Sequence, residues 1–317
     1  PSVLMMFYRA PGELQSELAE MEDCMPHYYK ITGNHGQGAE KIMRAEADFM
    51  QGHFTDAHIG LESAYAHIEG NGQENMALCC DFLSMRLSLF TDIKPRYTFE
   101  ERLAALLRQH NASWINIWNA AGAYFFALNG KTEKIPEIFS QHRLSDVHFL
   151  APGKPMAEMI ENRVYLAEGA YAKVIGRSAE LLFVCREMHY ALVALHIRIQ
   201  TAAAYEMLGK TKDADEWLSE AISDAVPDNL ILPFAENYGY IQPILSRGIG
   251  GDFAAQIIKT AMKRQADKSV QPTEFAVLTE QESEIVKLIL KRLSNREIAE
   301  NLFLSEGSVK QYINRIY

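Results

Sequence analysis

Along residues 1–263 apolar positions recur at intervals of three and four. Tyr205 and Leu208, then Trp217, Leu218, Ala221 and Ile222, give the spacing of one helix face. No segment alternates convincingly as a strand. Between turns the chain is rich in Ala, Leu, Met, Glu and Arg, which favour helix. The pattern predicts an all-α fold.

The turns themselves repeat. MQGHFTDA, LNGKTEKI, AEGAYAKV and MLGKTKDA place Gly52, Gly130, Gly169 and Gly209 at successive spacings of 78, 39 and 40 residues. The double interval predicts an unmarked turn near position 91, where Asp92 and Pro95 replace glycine. One further period lands on Gly248 to Gly251 in SRGIGGDFAA. Glycine ends a helix in a left-handed cap because it has no Cβ to clash. A small residue just past the turn (Ala57, Ala172, Ala214) lets two helices approach. The expectation is an α-solenoid of stacked helical hairpins, TPR-like with a period of about 39 residues, in which each unit buries its face against its neighbours. Residues 264–277, RQADKSVQPTEFAV, lose the periodicity and contain Pro272, and read as a linker.

Composition narrows the class. Hydrophobic residues are 48% of the 317 and charged residues 23%, enough for a sizeable core. No run of apolar residues is long enough for a transmembrane helix. The opening PSVLMMFYRAPGE is a poor signal peptide, because no basic flank precedes its apolar run. The chain opens on Pro1 rather than Met, as a piece of a longer protein would. Cys24, Cys79, Cys80 and Cys185 are too few for a disulfide framework and form no C-x-x-C pair, which points to a reducing cytoplasm.

The net charge is −10, yet residues 278–317 carry equal numbers of acidic and basic side chains. The acidity therefore belongs to the body, which is unsuited to hold nucleic acid by itself. Residues 278–317 read as three helices. Thr279 with Glu282 forms one capping box and Ser294 with Glu297 a second. Ser305 caps a third helix that buries Val309, Ile313 and Ile316. Two short helices around the tight turn at Phe303 and Leu304 make a helix-turn-helix. Ser308, Lys310, Gln311, Asn314 and Arg315 lie on the other side of the third helix. Lys and Arg suit phosphates and guanine edges, and Gln and Asn suit adenine.

This segment resembles the LuxR-type DNA-binding domain. Leu278, Thr279, Glu282, Glu284, Ser294, Asn295, Glu297, Ile298, Ala299, Leu302, Ser305, Val309, Lys310 and Ile313 match that pattern in register. Gln281, Arg292, Ser308 and Tyr312 depart from its usual Arg, Gly, Thr and His. Its fourth helix, which makes dimer contacts, has no counterpart before Tyr317. The resemblance implies that Lys310, Gln311 and Asn314 read the major groove of double-stranded DNA. It assigns Ser305, Ser308 and Arg315 to the backbone, in a homodimer on DNA. With the helical repeats ahead of it, the whole is similar to the MalT-like, inducer-sensing regulators of this family, in which an ATPase module precedes the repeats. The stretch with Gly33, Gly36 and Gly38 lacks the G-K-[ST] ending of a phosphate loop, so it reads as a loop between helices, and no cofactor is expected.

Other constellations are weaker. Cys185, His189 and His196 share a helix face but lack a complete ligand set, so no metal is expected. Trp114 and Trp118, one turn apart, are the candidate aromatic patch for an inducer or protein partner. No nucleophile or metalloprotease motif occurs, and the chain reads as a non-enzyme. The competing function is a helical-repeat interaction scaffold with a vestigial DNA-binding domain.

Overall fold

The computed structural model describes residues 2–68, 72–109, 112–147, 149, 151–264, 288, 293–302 and 304–310. It divides into two compact units, Pro1–Ala266 and Asp267–Tyr317. Helix dominates the described residues, with no strand among them.

The first unit opens with a single turn, α1 (Leu4–Phe7), and a long α2 (Leu14–Thr32). Then come α3 (Ala39–Met50), α4 (Phe54–Ile68), α5 (Glu74–Leu87), α6 (Phe99–Gln109) and α7 (Ala112–Leu128). A one-turn α8 (Glu137–Ser140) leads to α9 (Lys154–Ala167), α10 (Tyr171–Glu187), α11 (Ala191–Met207) and α12 (Thr211–Ala225). The unit closes with α13 (Leu232–Glu236), α14 (Tyr238–Ser246) and α15 (Gly251–Ala261). Successive helices pack as hairpins, α3 on α4, α10 on α11 and α11 on α12.

The glycine turns share one hydrogen bond. Gly52, Gly130, Gly169 and Gly209 all have φ between 66° and 80°. The next N–H then reaches five residues back: His53 to the Asp48 carbonyl, Lys131 to Phe126, Ala170 to Tyr165 and Lys210 to Tyr205. That bond closes the helix end with its orphan carbonyls satisfied. The α10–α11 turn uses the same device without glycine. His189 takes φ 54° and Tyr190 N–H reaches Cys185. Gly33, Gly36 and Gly38 lie in the turn between α2 and α3, as expected of a loop.

Three details depart from the sequence expectation. The helices are uneven: a 3-10 turn and the short α8 follow Gly130, and three helices fill the interval after Gly209. Ala172 is exposed, and Val174 takes the buried place that Ala57 and Ala214 occupy, five residues past the glycine in each case. The turn register, and not residue size, decides which side chain points inward. Leu208 is exposed as well, because it sits in the cap where the chain leaves the helix.

The larger departure is closure. The expected solenoid would bury each unit only against its neighbours. Here α1 packs on both α3 and α11, and α3 also meets α13. Buried Asp228 accepts hydrogen bonds from Tyr8 Oη at 2.6 Å, Gly12 N–H at 2.6 Å and Leu14 N–H at 3.3 Å. Ala191 N–H donates to the Tyr8 carbonyl at 3.2 Å. Deeper still, Arg86 on α5 forks onto Glu236 on α13, with both bonds at 2.9 Å. Tyr124 on α7 donates to the same carboxylate at 2.6 Å, and the guanidinium lies over the rings of Phe49, Phe82 and Tyr124. The body is a helical array folded back on its own beginning.

Candidate nucleic-acid interface

The second unit is built on Ile298, Ala299 and Val309, all buried, with Leu288, Leu293, Leu302 and Leu304 packed around them. Its best described element is the helix Asn295–Leu302. The capping box ahead of it is formed as the sequence predicts. Ser294 N–H donates to Glu297 Oε2 at 2.8 Å, and Glu297 N–H returns to Ser294 Oγ at 3.4 Å. The Ser294 hydroxyl, donating to Glu297 Oε2 at 2.7 Å, and the Ser294 N–H favour the ionised carboxylate and hold the Glu297 pKa below its ordinary value. At the far end Leu304 N–H reaches the Ala299 carbonyl at 2.9 Å, closing the helix and starting the turn.

The next helix begins at Ser305 and is described over residues 306–310. Ser305 Oγ accepts the Ser308 N–H at 3.0 Å and lies 2.8 Å from Ser308 Oγ, so the two hydroxyls form the expected cap. Val309 is fully buried, Ser308 is half-buried, and Lys310 is exposed. The helix therefore anchors through Val309 and leaves the adjacent ammonium of Lys310 in solvent, where a phosphate or a base edge can reach it. Gln311, Asn314 and Arg315 lie outside the described residues, as do Thr279 and Glu282 of the first capping box.

In the first unit the expectation for Trp118 is corrected. Trp118 is fully buried. It stacks on Phe99 at 5.9 Å and donates its indole N–H to the Phe99 carbonyl at 3.0 Å. It is core, with its polar edge already satisfied, and cannot face a ligand. Trp114 is half-buried against the same core. The expected shared helix face of Cys185, His189 and His196 is corrected: Cys185 lies on α10, His196 on α11, and His189 makes the turn between them.

The surface does carry a groove of about 630 Å³ that sequence reasoning missed, and neither tryptophan lines it. It runs between Arg9 and Pro11 of the N-terminal segment and Leu182, Phe183, Tyr190 and Arg198 of the α10–α11 hairpin. Its only sequence sign was Phe183, a large apolar residue on the face of α10 turned from the core. Also unforeseen was a capping box at α6, where Thr98 N–H donates to Glu101 at 2.8 Å. The T-x-x-E pattern could have found it.

No helix among the described residues is long and apolar enough to cross a membrane. No curated protein and no solved structure matches the chain. Residues 276–317 match the family described as bacterial regulatory proteins, luxR family. The chain thus ends in a DNA-binding domain of the LuxR family.

Proposed function

We propose that this protein is a sequence-specific transcription regulator of the cytoplasm, not an enzyme, whose helical body receives a signal and whose C-terminal domain engages DNA as a homodimer. The observation that carries the reading is the LuxR-family domain at residues 276–317, with its capped turn at Ser305 and exposed Lys310. In this reading Lys310, Gln311 and Asn314 meet base edges, while Ser305, Ser308 and Arg315 meet the phosphate backbone. The acidic body keeps nonspecific DNA contact confined to the C-terminal domain. The helical hairpins support a MalT-like role for the body, in which an inducer or a partner protein is the input.

The test is fluorescence-anisotropy binding of the full chain, extended past Tyr317 to supply the family's fourth helix, to a randomised duplex library at two salt concentrations. A selected paired motif, bound more weakly as salt rises, is the expected result. Absence of binding at low salt removes the DNA-binding reading and leaves a scaffold.

A further inference from the structure

The buried polar groups behind the Arg86–Glu236 pair do not balance. Arg163 on α9 is 3% exposed. Its Nε and Nη1 are buried without a hydrogen-bond partner, and it has no ion pair among the described residues. The face of Tyr240 lies 5.0 Å from its guanidinium carbon, which supplies no counter-charge. Close by, among the described residues Arg264 bonds only neutral acceptors: the carbonyls of Leu128 and Glu236 and the side-chain oxygen of Asn129. Glu236 itself is committed to Arg86 and Tyr124. Glu161, two residues before Arg163, is committed to Arg177 at 2.6 Å.

Further polar atoms around this region lack partners. Both ring nitrogens of His196 are buried and unbonded, as are Gln200 Oε1 and Asn237 Oδ1. His196 and Gln200 lie one turn apart on α11. Gln200 reaches the carbonyl of Met159, one turn from Arg163 on α9. Tyr124 meets the His196 ring edge-on at 6.2 Å. The charge of Arg163 also helps hold the Arg264 guanidinium pKa below its usual value, with burial the larger cause.

A guanidinium cannot shed its proton to escape burial. An unpaired buried charge is costly, and water alone supplies hydrogen bonds without supplying the missing charge. We propose that Arg163 is the anchor of a buried oxyanion site between α9 and α11, with a phosphoryl or carboxylate group as its ligand. The guanidinium of Arg163 offers an oxyanion a fixed charge and unpaired N–H donors at Nε and Nη1, on different edges of its plane. Gln200 Oε1, unpaired and on the side chain that reaches Met159 one turn from Arg163, offers an acceptor to a hydroxyl on the same ligand. This site stands apart from the DNA-binding reading and does not depend on it.

The test is thermal unfolding and titration calorimetry of the full chain with sodium phosphate and with sodium acetate, each against sodium chloride at equal ionic strength. One of the two oxyanions is expected to raise Tm and give one-site heat beyond the chloride control. A phosphate response marks a phosphoryl ligand and an acetate response a carboxylate. Arg163→Met, which keeps the apolar stem, should lose the response and unfold no earlier than wild type in the chloride buffer. Should that variant fail to fold, Arg163→Lys keeps a charge without the fixed guanidinium donors and should bind about tenfold more weakly, the equivalent of one charge-assisted hydrogen bond. No response in the wild type overturns the site. An equal response in Arg163→Met, or in Arg163→Lys where that is the variant measured, does so too.

Discussion

Arg86 and Glu236 stand 150 positions apart in sequence, yet they meet as a two-pronged ion pair at 2.9 Å in the centre of the body. Burial opposes the charge on each, and each partner's charge offsets that burial. The Glu236 pKa is held below the ordinary carboxylate value by Arg86, despite full desolvation. Removing one partner strands the other. Arg86→Met or Glu236→Gln should each cost about 3–5 kcal/mol in urea denaturation. The double variant should cost clearly less than the two added together. Additive losses would show that the pair is not coupled.

Phe99 is clamped between Trp118, stacked at 5.9 Å, and Phe126, edge-on at 5.2 Å. The open side of the clamp is Gly122, where a Cβ would meet Phe99 Cε2 at 2.3 Å. Glycine is ordinarily a poor residue inside a helix, and Ala there should help by roughly 1 kcal/mol. Here the clash reverses the sign. Gly122→Ala is expected to destabilise by about 1–3 kcal/mol, as overpacked cores do. Adding Phe99→Leu should return part of that loss, and a stabilised single variant would contradict the packing argument.

Two buried groups set opposing pH slopes. Burial lowers the His196 pKa from 6.5 to about 4, so the unfolded chain binds its proton first and stability rises with pH between about 4 and 6.5. Burial raises the Glu46 pKa from 4.5 to about 7, outweighing the hydrogen bond from Leu4 N–H at 2.7 Å. The folded chain then holds that proton longer, and stability falls as pH rises from 4.5 to 7. Each contribution is roughly 3 kcal/mol at full extent. Across pH 4.5–6.5 they offset each other. Urea midpoints should therefore fall with rising pH in His196→Gln, and rise with pH in Glu46→Gln, relative to wild type. Parallel profiles for all three proteins would remove both assignments.

Ser294 closes the capping box of the helix that carries Ile298 and Ala299. Ser294→Ala should cost the C-terminal domain about 1 kcal/mol. Differential scanning calorimetry should show the loss in the transition of that domain and leave the body's transition in place. A shift of both transitions together would mean that the two units unfold as one.

Lys310 separates two modes of DNA contact. If its ammonium reads a base, Lys310→Ala should weaken the selected site by about 1–3 kcal/mol and relax preference at one position. If it meets phosphate, affinity should fall alike on all sequences and the salt slope should lessen by about one. Unchanged affinity on every sequence would take Lys310 out of the interface.

The turns were legible because glycine at positive φ leaves a local signature, and so was the Ser294–Glu297 capping box, which needs two residues at a fixed offset. Lys310 and Val309 were legible because a three-four periodicity separates the buried and exposed sides of one helix. Closure was not, because nothing near Arg86 in the sequence announces Glu236. A long-range ion pair is written in two places with no local grammar linking them. The Trp114–Trp118 spacing misled for a related reason: one turn of separation gives a shared helix face, but only the neighbouring helix decides whether that face is core. The turn at His189 escaped notice because histidine, unlike glycine, is an occasional occupant of the left-handed region.

An array tied end to end also loses a freedom that open arrays keep. A linear stack grows or shrinks by whole units, since each addition only lengthens it. Here one extra hairpin between α5 and α13 would draw Arg86 away from Glu236 and strand both charges in the interior. The number of units is therefore locked. Variation in this body is confined to changes that keep its length, such as loops at the rim and residues lining the Arg9–Phe183 groove.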